Sequence, residues 1–341
     1  MTAARVETRW NYNGFPTVVL SNTQIRLVVV PRVGGKILNM EYRPTAHEWL
    51  WQNARIALES VSIGDTFDDH WCGGADVFFP TCYPCFWNGV NIPDAGEMWS
   101  IPWNSEVFED ESGVSLVMTA GGRIFPFESK RVIRLGHDGR SVVMNVTIRN
   151  EGHTPMPFVF GFHPALAVHE RQRIWLPPGS VEVLESSGEA MGEAGQTYTW
   201  PNLRVHGRER DMSRVSPKGL GAYGGHMFVP DDGEVWWAVT DEADGAGLKL
   251  IAQKHVFKNI WMWQVYGGWK GYYHVALEPW TSYPLTLSEA VAKDRADWIA
   301  PGKTWEAEIR FVFFNHASEM NDEKVRAIKY NPGDMEVFPN E

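Results

Sequence analysis

Apolar and polar residues alternate over long stretches of the chain. Near the C-terminal end, Trp305, Ala307, Ile309, Phe311 and Phe313 fall on one side of a two-residue period, which predicts a strand burying one face. Ile25, Leu27 and Val29 predict another, and Val142, Met144, Val146 and Ile148 a third. Residues 131–135 precede that third strand across Gly136-His137-Asp138-Gly139-Arg140, whose Asp-Gly step suits a tight antiparallel turn. Residues 234–240 and 248–253 read as a second hairpin, followed by strands near 259–266 and 272–278. Helical spacing is confined to short pieces at 46–52, 287–298 and 321–330.

Strand following strand without intervening helices predicts an all-β fold, a large antiparallel β-sandwich. No Pro- or Ser-rich linker divides the chain, so residues 1–341 are expected to form a single domain with its core at about 15–315. Residues 177–225, rich in Gly, Glu and Arg, are expected to carry long loops, and about 330–341 a loose tail.

Composition narrows the functional classes. With 31 Lys and Arg against 42 Asp and Glu, the net charge is −11 and no basic block is present. A nucleic-acid or anionic-membrane partner is therefore disfavoured. The first residues lack the apolar core of a signal peptide, and no stretch offers the roughly 20 apolar residues of a membrane span, so a soluble cytoplasmic protein is expected. Three cysteines are too few for a disulfide framework, which fits a reducing compartment. The pair Cys82-Tyr83-Pro84-Cys85 lacks the strand-then-helix setting of a redox motif and has no second pair for zinc, so it reads as two packed thiols. The 17 Trp stand beside 17 Phe and 10 Tyr. Most must pack a β-rich core, but indole also stacks on the apolar faces of sugars.

Three segments concentrate chemistry. Residues 73–81 and 93–103 interleave Asp76, Asp94 and Glu97 with aromatics and turn formers, a composition suited either to a hydroxyl-binding pocket or to capped surface turns. His163 ends the apolar run Phe160-Gly161-Phe162, where a histidine is more often structural than catalytic. Glu278 closes Val275-Ala276-Leu277, and a carboxylate in such a run is informative because burying it is unfavourable unless it is paired or used. If the fold joins them, His163 and Glu278 make an acid/base pair.

Taken in order, these segments resemble the aldose 1-epimerase, or galactose mutarotase-like, superfamily over roughly residues 15–315. The matching features are Val30-Pro31-Arg32-Val33-Gly34-Gly35-Lys36-Ile37, the Gly-Gly to Phe-Pro stretch at 73–80, Gly96-Glu97-Met98-Trp99 ahead of Pro102-Trp103, His163-Pro164, Leu277-Glu278-Pro279, and Ala300-Pro301-Gly302-Lys303-Thr304. The resemblance implies a β-supersandwich whose open face holds a small-molecule carbohydrate, with no cofactor needed. It implies Glu278 as base on the anomeric hydroxyl and His163 as acid on the ring oxygen. Ala95 stands where relatives commonly place a second histidine, a role His70 or His226 would have to take. The stretch Asp69-His70-Trp71-Cys72-Gly73-Gly74 lacks the arginines of the branch acting on hexose phosphates, which points to an unphosphorylated sugar. Position suggests Asp76, Asp94, Glu97 and Trp99 as substrate contacts, with His70, His226, Trp263 and Gln264 behind them. The alternatives are a non-catalytic carbohydrate-binding or sensing protein and an isomerase acting on a modified or oligomeric glycan. Exposed aromatic edges would serve a glycan platform or a homodimer contact equally well.

Overall fold

The computed structural model describes residues 3–187, 191–229, 234–316 and 320–330. Among them, strands form one sheet of twelve and one of eight, with three two-stranded ribbons at the periphery. Every ladder between named strands is antiparallel, as the repeated hairpin signals predict. Phe127–Gly136 pairs with Ser141–Asn150 across the Asp-Gly turn, and Val235–Asp241 pairs with Ala246–Ala252. The long strand Thr304–Asn315 lies between Ala246–Ala252 and Ser141–Asn150 at the centre of the smaller sheet. One contiguous apolar cluster draws on both sheets, joining Leu27, Met262 and Leu277 to Leu116, Met144 and Phe311. The chain is thus a β-sandwich. No helix among the described residues is long and apolar enough to cross a membrane.

Several local expectations are corrected. Residues 46–52 are not helical: Ala46 takes φ 53° in the turn after Arg43, and His47–Glu48 forms a short edge strand. Glu48 explains the difference, because its Oε1 accepts the amides of Met40 and Leu50 and fixes an extended path. The second predicted helix holds only over Leu287–Ala292. Asp294 then adopts φ 54°, and Asp297–Ile299 pairs with Met156–Phe158 as a ribbon. The third shortens to Asp322–Ala327, capped by Asn321 Oδ1 on the Lys324 amide. The region 177–225 contains strands as well as the expected longer connections: Ser180–Ser186, Asn202–Val205 and Arg208–Asp211 are strands, and 212–220 is a connection without one. The tail expected at 330–341 lies, beyond Tyr330, outside the described residues.

What positions the functional residues is the middle of the large sheet. Ala75–Phe78, Gly161–Ala167, Tyr273–Trp280, Asn259–Tyr266 and Gly221–Phe228 lie side by side there. Phe162 packs on Phe311 of the smaller sheet at 5.7 Å between ring centroids, so it faces the core. Its neighbour His163 therefore points to the opposite, outer face.

Candidate active site

Register carries that parity across the sheet. His163 is paired with Asp76 on one side, and Glu278 lies level with it on the other, between the paired positions Gly161–Trp280 and Ala165–Ala276. Glu278 is paired in turn with Trp261, and Trp261 with His226. Two groups 115 positions apart in sequence are thus neighbours on one face: His163 Nε2 stands 3.6 Å from Glu278 Oε1. Both side chains are 3% exposed, at the floor of a cavity of about 720 Å³ whose walls include Asp68, Asp94, Glu185 and Trp263.

The surroundings hold both groups in place. Glu278 Oε2 accepts the indole N–H of Trp280 at 3.0 Å. That indole lies flat against Gly161, where a β-carbon would come within 2.4 Å of the ring, so only glycine leaves room for it. His163 is enclosed by the rings of Phe67, Trp71, Phe78 and Trp263, with centroids 4.9 to 5.7 Å away. Its Nδ1 is buried without a hydrogen-bond partner.

Burial among aromatic rings sets the protonation of the pair. It pushes His163 down to about 3, with the Lys36 ammonium adding to the effect. It pushes Glu278 well up, opposed by the Trp280 hydrogen bond. At neutral pH the imidazole is therefore neutral, and burial holds the Glu278 carboxyl toward its protonated form. Burial and the adjacent Asp94 charge also raise Asp68, to about 6. Asp94 and Glu185 are raised by burial as well. No Lys or Arg is among the described residues lining the cavity. The site is rich in hydrogen-bond acceptors and offers no fork for a phosphate or carboxylate.

Of the residues expected to contact substrate, Asp94 and Trp263 line this cavity. Asp94 also accepts the Phe67 amide at 2.9 Å, which fixes the short helix Phe67–His70 at the cavity edge. The others lie elsewhere. Asp76 is fully buried beside His163, ion-paired to Lys36 and bonded by Trp71 Nε1 at 3.1 Å. Glu97 is fully buried too, and its oxygens accept the amides of Arg123, Ile124 and Phe125 at 2.6 to 2.9 Å, so it anchors a loop. Trp99 donates to the Asp94 carbonyl and packs on Phe67, which supports the wall from behind. His70 pairs with Glu59 outside the cavity. His226 shares the row of Glu278 and Trp261 but faces a separate cavity, stacked on Tyr283 at 4.0 Å and bonded to Asn259. Gln264 is buried and accepts the Tyr266 hydroxyl; parity places it opposite Trp263, toward the core. Neither His70 nor His226 therefore occupies the place left by Ala95, which itself lines the cavity. Asp68, Glu185, Trp261 and Trp269 are wall residues that sequence reasoning missed. Trp261 was within its reach, lying two residues from Trp263 on the same strand face. Cys82 and Cys85 are free thiols, the first in the cavity wall with its pKa pushed up by burial.

Solved structures with this architecture are numerous. The Slr1438 protein of Synechocystis sp. PCC 6803 superposes with a TM-score of 0.67 at 17% identity, covering 91% of this chain and 99% of that one. A Klebsiella pneumoniae protein proposed to be an aldose 1-epimerase gives 0.70 at 14% identity, covering 95% and 85%. The chain has the galactose mutarotase-like fold. A galactose mutarotase-like protein of Clostridium acetobutylicum, with a TM-score of 0.63 at 11% identity, covers 93% of this chain and 100% of its own. No family model and no curated protein matches the sequence. Within the mutarotase-like fold, the cavity lies on the outer face of the larger sheet.

Proposed function

We propose that this protein is a cofactor-independent aldose 1-epimerase acting on an unphosphorylated sugar. The observation that carries the reading is the His163–Glu278 pair, 3.6 Å apart at the floor of a cavity with acidic and aromatic walls and no described basic residue. Opening a hemiacetal ring takes a proton from O1 and delivers one to O5. Closing on the other face of the carbonyl inverts C1 and returns the protons. Burial favours the neutral form of both groups, and with Glu278 protonated the pair would carry the one proton this exchange moves. For Glu278 to act as base and His163 as acid, that proton must sit on His163 when sugar is bound. Sugar hydroxyls donating to the Glu278 carboxylate favour that state by replacing its lost hydration. Asp68, Asp94 and Glu185 accept further hydroxyls. The acceptor-rich wall disfavours phosphorylated and acidic sugars through like-charge repulsion.

The test is NMR magnetisation exchange between α and β anomers over neutral, acidic and phosphorylated sugars, with wild-type protein and Glu278→Gln. Enhanced exchange for a neutral sugar, lost in the variant, is expected. Exchange that survives Glu278→Gln overturns the assignment of the base. Ala95 favours a second reading, a carbohydrate-binding protein without turnover, and sugar binding with no exchange in the wild type selects it.

A further inference from the structure

The cavity exceeds what one pyranose ring needs. Its 720 Å³ corresponds to the liquid volume of about two dozen waters, whereas a hexose has only about a dozen non-hydrogen atoms. The surplus space is furnished with aromatic surface. Many large apolar side chains are exposed on this protein, so exposure alone carries nothing, but Tyr83 and Trp269 are each 41% exposed and also line this cavity. Tyr83 lies 6.3 Å from Trp261, and Trp269 lies 6.3 Å from Trp263. Trp261 and Trp263 are successive side chains on one strand face, about 6.6 Å apart along it.

Trp263 connects the floor to the rim. It approaches His163 at 5.7 Å on one side and Trp269 on the other. Gly267 and Gly268 also line the cavity and keep this stretch free of side chains. The Trp269 indole is braced, with the edge of Tyr272 at 4.9 Å and the Lys270 ammonium 5.3 Å from the ring centroid. Lys270 is itself tied to Asp69. A braced indole half-open to a cavity is an apolar surface already ordered for a ring to stack on. Ser186 and Ser187 also line a second recess, whose other polar walls include Glu193, Gln196 and Arg204.

We infer that the substrate is a reducing oligosaccharide whose terminal ring lies at His163 and Glu278 while the next ring stacks on Trp269. This rests on reading the cavity as an epimerase site, and it adds a second sugar subsite. The ring at Trp269 undergoes no chemistry and supplies binding energy only.

The experiment is calorimetric titration of glucose, maltose, cellobiose and lactose into wild-type protein, Trp269→Ala and Trp269→Phe, with reducing-end anomer exchange followed in parallel by NMR. All three disaccharides end in glucose, so the reacting ring is constant. At least one should bind about tenfold or more tightly than glucose. That advantage should shrink to about twofold in Trp269→Ala and return in Trp269→Phe. Disaccharides binding no more tightly than glucose overturn the inference, as does a Trp269→Ala loss equal for glucose and disaccharide. Exchange without a disaccharide advantage removes the second subsite and leaves the epimerase. A disaccharide advantage without exchange keeps the subsite and removes the epimerase. Binding of none of the four sugars removes both.

Discussion

Two of the places where histidine meets carboxylate among the described residues are built in opposite ways. At the cavity floor, His163 and Glu278 stand 3.6 Å apart, and His163 Nδ1 has no hydrogen-bond partner. Between the sheets, Asp241 is saturated. Its Oδ2 meets His169 Nε2 at 2.5 Å and Gln172 Nε2 at 3.2 Å, with His47 Nδ1 at 3.6 Å, and its Oδ1 accepts the Ala243 amide. His47 also bonds Asp244 at 2.8 Å, whose second oxygen accepts the Ala246 amide. This cluster straps His47–Glu48 of the larger sheet to Gln172–Trp175 and Val235–Asp241 of the smaller. A cluster whose hydrogen-bonding capacity is filled holds the fold together. Under the proposed function, the capacity left over at the cavity floor is what a sugar would fill.

The largest effect that can break this contrast is on rate. Glu278→Gln should lower anomer exchange by about 10²–10⁴, while Tm at neutral pH is kept or raised, because glutamine is neutral and burial here disfavours a charged carboxylate. A large loss of Tm with exchange intact would make this pair the structural one. Asp241→Ala should do the reverse. Removing the acceptor that two histidines and a glutamine share should destabilise the fold by about 3 kcal/mol, read as a lower denaturation midpoint. Exchange per folded molecule should stay within about twofold, since effects at distant sites are independent. An Asp241→Ala protein that melts normally would remove the strap.

This contrast shows why part of the site was legible in sequence and part was not. His163 and Glu278 each interrupt an apolar run within a strand, which marks them in the sequence; the structure sets both on the outer face, and the register brings them level. Asp76 and Glu97 could not be told apart from ligands, because a carboxylate reads the same whether it meets a sugar, Lys36 or three backbone amides. Glu185 was hidden by geometry. Strict alternation would set it on the face opposite Glu182, but a bulge between Val183 and Glu185 shifts the register and pairs Glu185 with Gly224 on the cavity side. The sandwich itself was plain from period-two patterning. The 46–52 helix failed because the Glu48 carboxylate, bonding backbone amides, overrides local spacing.

A smaller effect tests how Glu278 is tuned. Trp280→Phe keeps a ring against Gly161 and removes the N–H that donates to Glu278 Oε2. That hydrogen bond favours the carboxylate, so its loss should raise the Glu278 pKa further. Exchange at neutral pH should fall about tenfold, and the acid limb of the pH–rate profile should move to higher pH. A merely structural tryptophan would lower Tm and leave that limb in place.

The smallest effect sets binding against stability within one side chain. Asp68 is raised in the fold from 3.8 to about 6, by burial first and then by Asp94. Its protonated form is therefore the one folding favours. The stability it contributes is fully present below 3.8 and is lost as pH rises through about 6. Asp68→Asn should remove that loss, raising Tm by roughly 2–4 °C at pH 7, with the gain vanishing near pH 4. Sugar affinity should respond in the opposite sense. In the wild type it should weaken as pH falls through about 6, because the protonated carboxyl is a poorer acceptor for hydroxyls, and Asp68→Asn should bind less tightly at pH 7 and lack this transition. Melting and calorimetric titrations at pH 4, 5.5 and 7 measure both. If Asp68→Asn melted lower at pH 7 and bound sugar equally well, Asp68 would belong with Asp241 as a residue of the scaffold, and the cavity wall would lose one of its ligands.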